Sequence, residues 1–452
     1  MQRIVIKNFG PIKDAEIEIT PLLVLIGEQA TGKSTIAKLI YFFKSLSNDF
    51  FSRYYMSENL KFDVTNDIVF PLRRKFYDYF GSTFHMDKFD ITYHYNNRRS
   101  ITLTLNEEKR LDAHLSTPFF GREDGMMLNR YKSELLQIRK EIEQEYQLPN
   151  KIALQQKQML LIQSFSDKIN EIFSNVHNDL SYIIAGRNAT VGYSSFFDNM
   201  FASNLQKTIE NQGKRAFMAK EQTIDETLML DFMQRVSVLK QIMNKSGDFD
   251  GLVRNADPKK QVILAKAHQL INKVIRGEYI SSTDEKIVVA DGKYVYLKNA
   301  SSGQQEAIRI LQDAFVAIMS DDTVFRIIEE PEAHIFPEAQ MYLLQLLAML
   351  LNNKDGNQLI ITTHSPYVLT VINNLMFAHK VGQKSPDKAK EIVEKESWLA
   401  PEKVNAYMLS TSNGVERIID DELSMIMAER IDEVSDKLND DYDKLLNIEY
   451  ED

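Results

Sequence analysis

None of the 452 residues is cysteine, which excludes disulfides and every thiolate metal site. The eight histidines are scattered and form no pair at metal-ligand spacing. Long hydrophobic runs are also missing. The longest strongly apolar stretch, near Leu343 to Leu351, falls well short of the roughly 20 residues that a membrane-spanning helix needs. The opening residues, Met1 to Lys7, alternate like a strand and carry no apolar signal core. A soluble cytoplasmic protein without a membrane partner is therefore expected. There is no internal repeat and no low-complexity tract. Sustained heptads are absent too, which argues against long coiled-coil arms. A general excess of positive charge is likewise lacking. The net charge is −10, and residues 391–452 hold 18 acidic against 6 basic side chains, a balance of −12. The rest of the chain is close to neutral, so a uniformly basic DNA clamp is disfavoured. What is present is ordinary for a globular protein: 44% hydrophobic and 26% charged residues, in a chain long enough for two or three lobes.

The pattern of apolar residues predicts strands over 2–7 and 15–26, then a helix from Ser34 to about Lys44. Val24-Leu25-Ile26 is fully apolar, as in a central strand buried on both faces. Residues 90–105 alternate around Asn96-Asn97 as a hairpin. The period then changes. Met127 to Tyr146 and Lys151 to Asn175 read as helices broken at Leu148-Pro149-Asn150, which should lie antiparallel. Another helical block covers about Asp225 to Arg276. A hairpin is expected over Lys286 to Lys298, a helix over Gln304 to Ser320, and a strand over Thr323 to Ile328. A second helix over Pro337 to Leu351 and a strand over Gln358 to Thr362 follow. The end reads as a hairpin from Val404 to Ile419 and an acidic helix from about Glu422 to Leu446. This alternation predicts an α/β class.

Four short segments carry chemistry. Gly27, Glu28, Gln29, Ala30, Thr31, Gly32, Lys33 and Ser34, followed by Thr35, fit the phosphate-loop pattern between a strand and a helix. The glycines permit a turn whose N–H groups converge on phosphate. Lys33 offers charge to the β- and γ-phosphates, and Ser34 a hydroxyl to Mg²⁺. Glu329 and Glu330 end an apolar strand, where a carboxylate within reach of an attacking water can act as base. Ser301, Ser302, Gly303 and Gln304 open a helix, and alone they would read as a serine-rich N-cap. His364 ends a second apolar strand. Arg326 interrupts the apolar pattern of its strand, and the sequence supplies no partner for it.

In this order the four segments resemble those of the ATP-binding cassette ATPases. They look most like the soluble branch that includes chromosome-maintenance ATPases and the overcoming-lysogenization-defect (OLD) family, on the strength of Glu329-Glu330-Pro331-Glu332-Ala333-His334. The resemblance implies a cassette head, a P-loop mixed sheet flanked by an antiparallel sheet, with a helical insertion. Its parts would be 1–115 and 285–390 for the head, 116–284 for the helical lobe and 391–452 for an acidic hairpin and helix. It further implies ATP and Mg²⁺ as ligands and Glu329 as a metal contact, through water. Glu330 would be the base and His364 a contact to the γ-phosphate. Ser301 to Gln304 would be a signature that meets the nucleotide of another subunit. A homodimer, or a higher assembly, would then close around two ATP molecules and control a separate effector such as a nuclease in bacterial anti-phage defence. The alternative is a repair or chromosome-associated ATPase that binds nucleic acid itself. Arg187 resembles a strand-end arginine of this class, with a place near the nucleotide or at the lobe junction. The glutamine loop of the family is not identifiable.

Other segments take plainer readings. Tyr41-Phe42-Phe43 and Phe50 to Tyr55 suit a core better than base stacking. Lys259, Lys260, Lys266, Lys273 and Arg276 read as a solvated helix face. Asp420-Asp421-Glu422 lacks the convergent carboxylates of a two-metal nuclease.

Overall fold

The computed structural model describes the chain except residues 1, 58, 60, 193–222, 282–283, 290–291, 412–413, 428–439 and 446–452. The chain starts with β1 (Gln2–Phe9), β2 (Ile12–Ile19) and β3 (Leu22–Gly27). The expected strand over 15–26 is two strands. Pro21 has no N–H for a ladder, and the burial pattern changes there from alternating to continuous. β2 keeps one face in solvent, whereas β3 is buried on both. β1 and β2 join β4 (Asp90–His94), β5 (Ser100–Leu105) and β6 (Leu111–Leu115) in an antiparallel sheet of order β2-β1-β4-β5-β6.

The helix after β3 runs from Lys33 to Met56, twelve residues beyond the expected end. Its aromatic residues explain the extension. Phe42, Phe43, Phe50 and Tyr54 are all buried. Phe43 stacks on Tyr93 of β4 at 5.0 Å between centroids, and Phe50 stacks on Tyr54. These rings knit the helix to the antiparallel sheet, the core role expected of them.

The segment expected as helical holds the helices Arg122–Gln144 and Leu148–Ile172, which pack on one another, and then Ile224–Ser246 and Pro258–Ile275. Between these pairs lies β7 (Asp179–Ile183), which forms an edge of the second sheet rather than part of a separate lobe. β8 (Glu278–Ile280), β9 (Lys286–Val288) and β10 (Tyr294–Tyr296) make a small antiparallel sheet. The helix Ser302–Met319 follows, then β11 (Val324–Glu329), the helix Pro337–Asn353, β12 (Gln358–Thr363) and the helix Pro366–Gly382. β13 (Val404–Ser410) and β14 (Gly414–Arg417) form the expected hairpin. The second sheet has the order β14-β13-β3-β12-β11-β7, with β14 antiparallel and the other pairs parallel. The fold is the expected α/β head: a mixed sheet carrying the phosphate loop, flanked by an antiparallel sheet.

The expected acidic helix does not begin at Glu422. Residues 421–424 form a turn and Met425–Ile426 forms β16, which pairs with β15 (Ile419–Asp420). Ile426 exchanges two hydrogen bonds with the Asn373 side chain, and this docking competes successfully with helix formation. Residues 440–445 are helical, and the remainder of the expected helix lies outside the described residues. Asp420 caps the turn by accepting from the Glu422 and Leu423 N–H groups, while Asp421 pairs with Arg417. These carboxylates therefore serve the turn.

Candidate nucleotide site

Strand register brings the chemistry together. In the parallel sheet Ile26 pairs with Thr363, and Thr362 with Glu329. The residues that follow these pairs leave the sheet at the same end: the phosphate loop after β3, Glu330 after β11 and His364 after β12. Open α/β sheets bind ligands at the carboxyl ends of their strands. Ile183 of β7 pairs with Ile328, so the turn that carries Arg187 emerges there too.

Gly27 closes β3 at φ 152°, and a Cβ there would stand 2.0 Å from the Leu409 carbonyl oxygen of β13. Only glycine lets the neighbouring backbone come so near. Ala30 at φ 60° and Gly32 at φ 102° take left-handed conformations before the helix starts at Lys33. Such alternation turns successive N–H groups to one side, making an anion-binding concavity. Glu28, Gln29 and Ala30 form the exposed rim, and Thr31 donates to the Glu28 carbonyl at 2.9 Å. Ser34 and Thr35 are half-buried in the first helical turn.

Lys33 is buried, and its ammonium donates to the carbonyls of Gly27 (2.8 Å) and Glu28 (2.6 Å). Burial lowers its pKa from the ordinary lysine value, while Glu330, Glu332 and Glu28 oppose the drop. The His364 ring bridges two groups of the site. Nδ1 is 3.5 Å from Lys33 Nζ, and Nε2 is 3.2 Å from Glu330 Oε1. Residues about 330 positions apart thus come within hydrogen-bond reach. Glu330 has φ 42°, an uncommon conformation for a non-glycine residue, and its N–H donates to the Thr362 carbonyl.

Glu329 is buried. It accepts from the Tyr182 hydroxyl at 2.7 Å and the Ala185 N–H at 3.2 Å. Burial, with Glu329 beside it, raises the Tyr182 hydroxyl well above its ordinary pKa, so it remains a donor. Glu332, which has no assigned role in the motif from Glu329 to His334, holds the end of β12 and the residue after it. Its Oε1 accepts from the Thr363 hydroxyl (2.6 Å) and the His364 N–H (2.9 Å). Its spacing after Glu330 was visible, but its partner lies 31 positions away.

Ser301 caps the helix Ser302–Met319 and forms a capping box with Gln304; Ser301 and Ser302 are exposed. Among the described residues no hydrogen bond joins Ser301 to Gln304 with the phosphate loop, Glu330 or His364. Gly303 instead packs against the loop that follows Glu330. A Cβ there would lie 2.4 Å from the His334 carbonyl oxygen.

Further along, this helix buries charges of both signs. Glu306 accepts from the backbone N–H of Arg187 (2.9 Å) and of Asn188 (3.2 Å). Arg309 forks onto Glu285 at 2.6 and 2.7 Å. Asp313 takes Arg235 and Arg326, both at 2.7 Å. Arg326 and Arg235 also share Asp179, which closes a four-membered ring of alternating charge across β7, β11 and two helices. This supplies the partners that the sequence left open. Burial alone would raise the Asp313 carboxyl, but the two arginines hold it below its ordinary value.

Arg187 is fully buried and reaches no solvent. Burial lowers its pKa, opposed first by Glu306. Lys259 is exposed, but the other four cations of the helix Pro258–Ile275 and its end are engaged within the chain: Lys260 with Asp321, Lys266 with Glu394 and Glu396, Lys273 over the Tyr342 ring, and Arg276 with Glu338. They are more than a solvated face. Among the described residues no helix is long and apolar enough to cross a membrane.

Residues 1–369 match the AAA ATPase domain. No curated protein gives a significant match. Solved structures similar to the chain include the Smc head domain with an extended coiled coil, bound to the C-terminal domain of ScpA, from Pyrococcus furiosus. That match has 9% identity, 92% of this chain and 96% of that chain covered, and a TM-score of 0.36. The SMC head domain from Thermotoga maritima has 9% identity, with 82% and 90% covered and a TM-score of 0.34. A SmcHead bound to the C-winged helix domain of ScpA has 10% identity, with 82% and 91% covered and a TM-score of 0.37.

Proposed function

As this chain belongs to the AAA ATPase domain family, we propose that it is an ATP-hydrolysing molecular switch whose two ATP sites are each shared between two copies of the chain. One observation carries the catalytic half of this reading. Lys33, His364 and Glu330 form a continuous chain of contacts at 3.5 and 3.2 Å, at the end of the sheet where the phosphate loop opens. In this reading the loop N–H groups and Lys33 hold the phosphates. Glu330 accepts a proton from the attacking water, and His364 keeps the Glu330 carboxylate aimed. The backbone of Glu330, held in its left-handed conformation, gives the carboxylate a fixed origin.

The donor set also fits Mg²⁺. Ser34 would supply a hydroxyl and Glu329 a carboxylate oriented by Tyr182 and Ala185. Mg²⁺ is commonly held by one or two carboxylates, substrate phosphates and waters. Among the described residues no cluster of three or more acidic or histidine side chains forms a complete cage. When bound, the cation would neutralise charge developing on the phosphates.

The shared-site half rests on the signature. Ser301 and Ser302 are exposed at a helix N-terminus, suited to a phosphate, and among the described residues no hydrogen bond joins them to their own chain's phosphate loop. The test uses Lys33→Ala and Ser301→Arg, each inactive alone, in a mixed dimer of differently tagged chains. Shared sites leave one intact combination, which should trap ATP. Confirmed heterodimers that trap none would reject shared sites.

Control of a separate effector, such as a nuclease in anti-phage defence, extends the reading through the OLD-like motif from Glu329 to His334. It predicts that a partner protein, rather than DNA, changes the turnover rate. The engagement of Lys260, Lys266, Lys273 and Arg276 within the chain supports that choice. DNA stimulation of turnover without any partner would instead favour a chromosome-associated role.

A further inference from the structure

On the shared-site reading, which this inference rests on, the signature of one chain touches the nucleotide of its partner, whereas Glu330 serves the chain's own. Within one chain these two elements are nevertheless joined by a buried clamp. The Arg187 guanidinium donates to the carbonyls of Glu329 (2.6 Å), Glu330 (2.9 Å) and Ile184 (2.8 Å). Its Nε donates to the Glu306 carbonyl at 3.2 Å and lies 3.2 Å from the Glu306 carboxylate, which accepts from the backbone N–H groups of Arg187 and Asn188. Glu306 stands in the first turns of the helix that Ser301 caps. Gly303 of the same helix abuts the His334 carbonyl, in the loop after Glu330.

A shift of the signature helix therefore either moves the Glu329–Glu330 backbone or breaks charge-assisted hydrogen bonds that no water can replace. The planar fork is essential to the geometry. Arginine spans four carbonyls at once, those of Ile184, Glu306, Glu329 and Glu330, beside the Glu306 carboxylate, whereas a lysine ammonium concentrates its charge at one point. We propose that Arg187, with Glu306, is a positioning residue that transmits engagement of the signature at one ATP site to the aim of Glu330 at the other.

The test places turnover in a single site of a mixed dimer and varies the other. Chain two carries either Glu330→Gln, which keeps the second site filled and silent, or Lys33→Ala, which keeps it empty and silent. Chain one is wild type or Arg187→Lys, and only its own site turns over. With the clamp intact, filling the second site should raise turnover at the first about tenfold, within the usual range of coupling between sites. With Arg187→Lys in chain one, turnover should be low and the filled-to-empty ratio should fall to about one, while ATP occupancy is retained. Glu306→Gln, which keeps side-chain size, should collapse the same ratio and serves if Arg187→Lys does not fold. An unchanged ratio in either folded variant, or no effect of filling with the clamp intact, would overturn the proposal. The Lys33→Ala with Ser301→Arg mixture is run beside it: trapped ATP there with an unchanged ratio rejects the clamp alone, and no trapped ATP rejects the shared site itself.

Discussion

Replacing Arg326 by methionine tests whether the buried ring of charge holds the head together. Arg326 has no exposed surface and makes two close ion pairs, 2.7 Å to Asp313 and 2.5 Å to Asp179. It also donates to the Asp179 carbonyl at 2.8 Å. Methionine fills much of the volume but leaves Asp313, itself 1% exposed, with Arg235 alone. Removing one partner of a buried pair costs about 3–5 kcal/mol, because the remaining charge is stranded in low dielectric. Arg235→Met removes comparable contacts from a side chain that is 22% exposed. Water can enter there, and the cost should be smaller, about 1–3 kcal/mol. Urea unfolding at neutral pH, followed by circular dichroism, measures both. The ranking matters more than either value. A loss below about 1 kcal/mol for Arg326→Met, or a larger loss for Arg235→Met, would refute the claim that desolvated charge sets the cost. A double-mutant cycle of Arg326→Met with Asp313→Asn should show coupling of roughly 0.5–3 kcal/mol, as for residues in one network.

Three further outcomes are expected. Lys33→Ala should abolish tight ATP binding in a titration, since it removes the charge meant for the β- and γ-phosphates; near-normal affinity would displace the phosphate loop from the site. Glu330→Gln should retain ATP and lower turnover on the order of 10²–10⁴-fold, the usual worth of a general base; wild-type turnover would place the base elsewhere. The acid limb of stability should carry the Glu285 carboxyl. Burial alone would raise this group, but Arg309 overcomes burial and holds it at about 2, against an ordinary value of 4.5. A depressed carboxyl stabilises fully above its unfolded value, and the contribution fades as pH falls from about 4.5 through about 2. That shift corresponds to roughly 3 kcal/mol. Glu285→Gln should flatten stability across that window, and an unchanged acid limb would show that the pair with Arg309 contributes little.

Much of the candidate site was legible because its motifs are local. The phosphate loop is a run of adjacent residues whose glycines must turn the backbone, and Lys33 and Ser34 follow at fixed spacing. Glu329 and Glu330 stand at the end of an apolar strand, and His364 at the end of another. Strand and helix periods likewise mark most of the sheets, since burial on one face or on two leaves a trace in the order of residues. Other features depend on partners far away in sequence and had no local trace. Glu332 acquires its role only when Thr363 and His364 arrive beside it. Arg326 looked out of place until Asp179, Arg235 and Asp313 converged on it, because a buried charge is tolerable only where its counter-charges meet. β7 could not be assigned to the nucleotide sheet from its own residues, since pairing with β11 is a choice of register between segments some 145 positions apart. The same limit applied near the end, where Met425–Ile426 became a strand once Asn373 offered its amide. Sequence alone therefore marked the candidate residues of the site. The tertiary structure decided which buried charges hold them in place, because ion pairs and hydrogen bonds act over a few ångströms and take no account of distance along the chain.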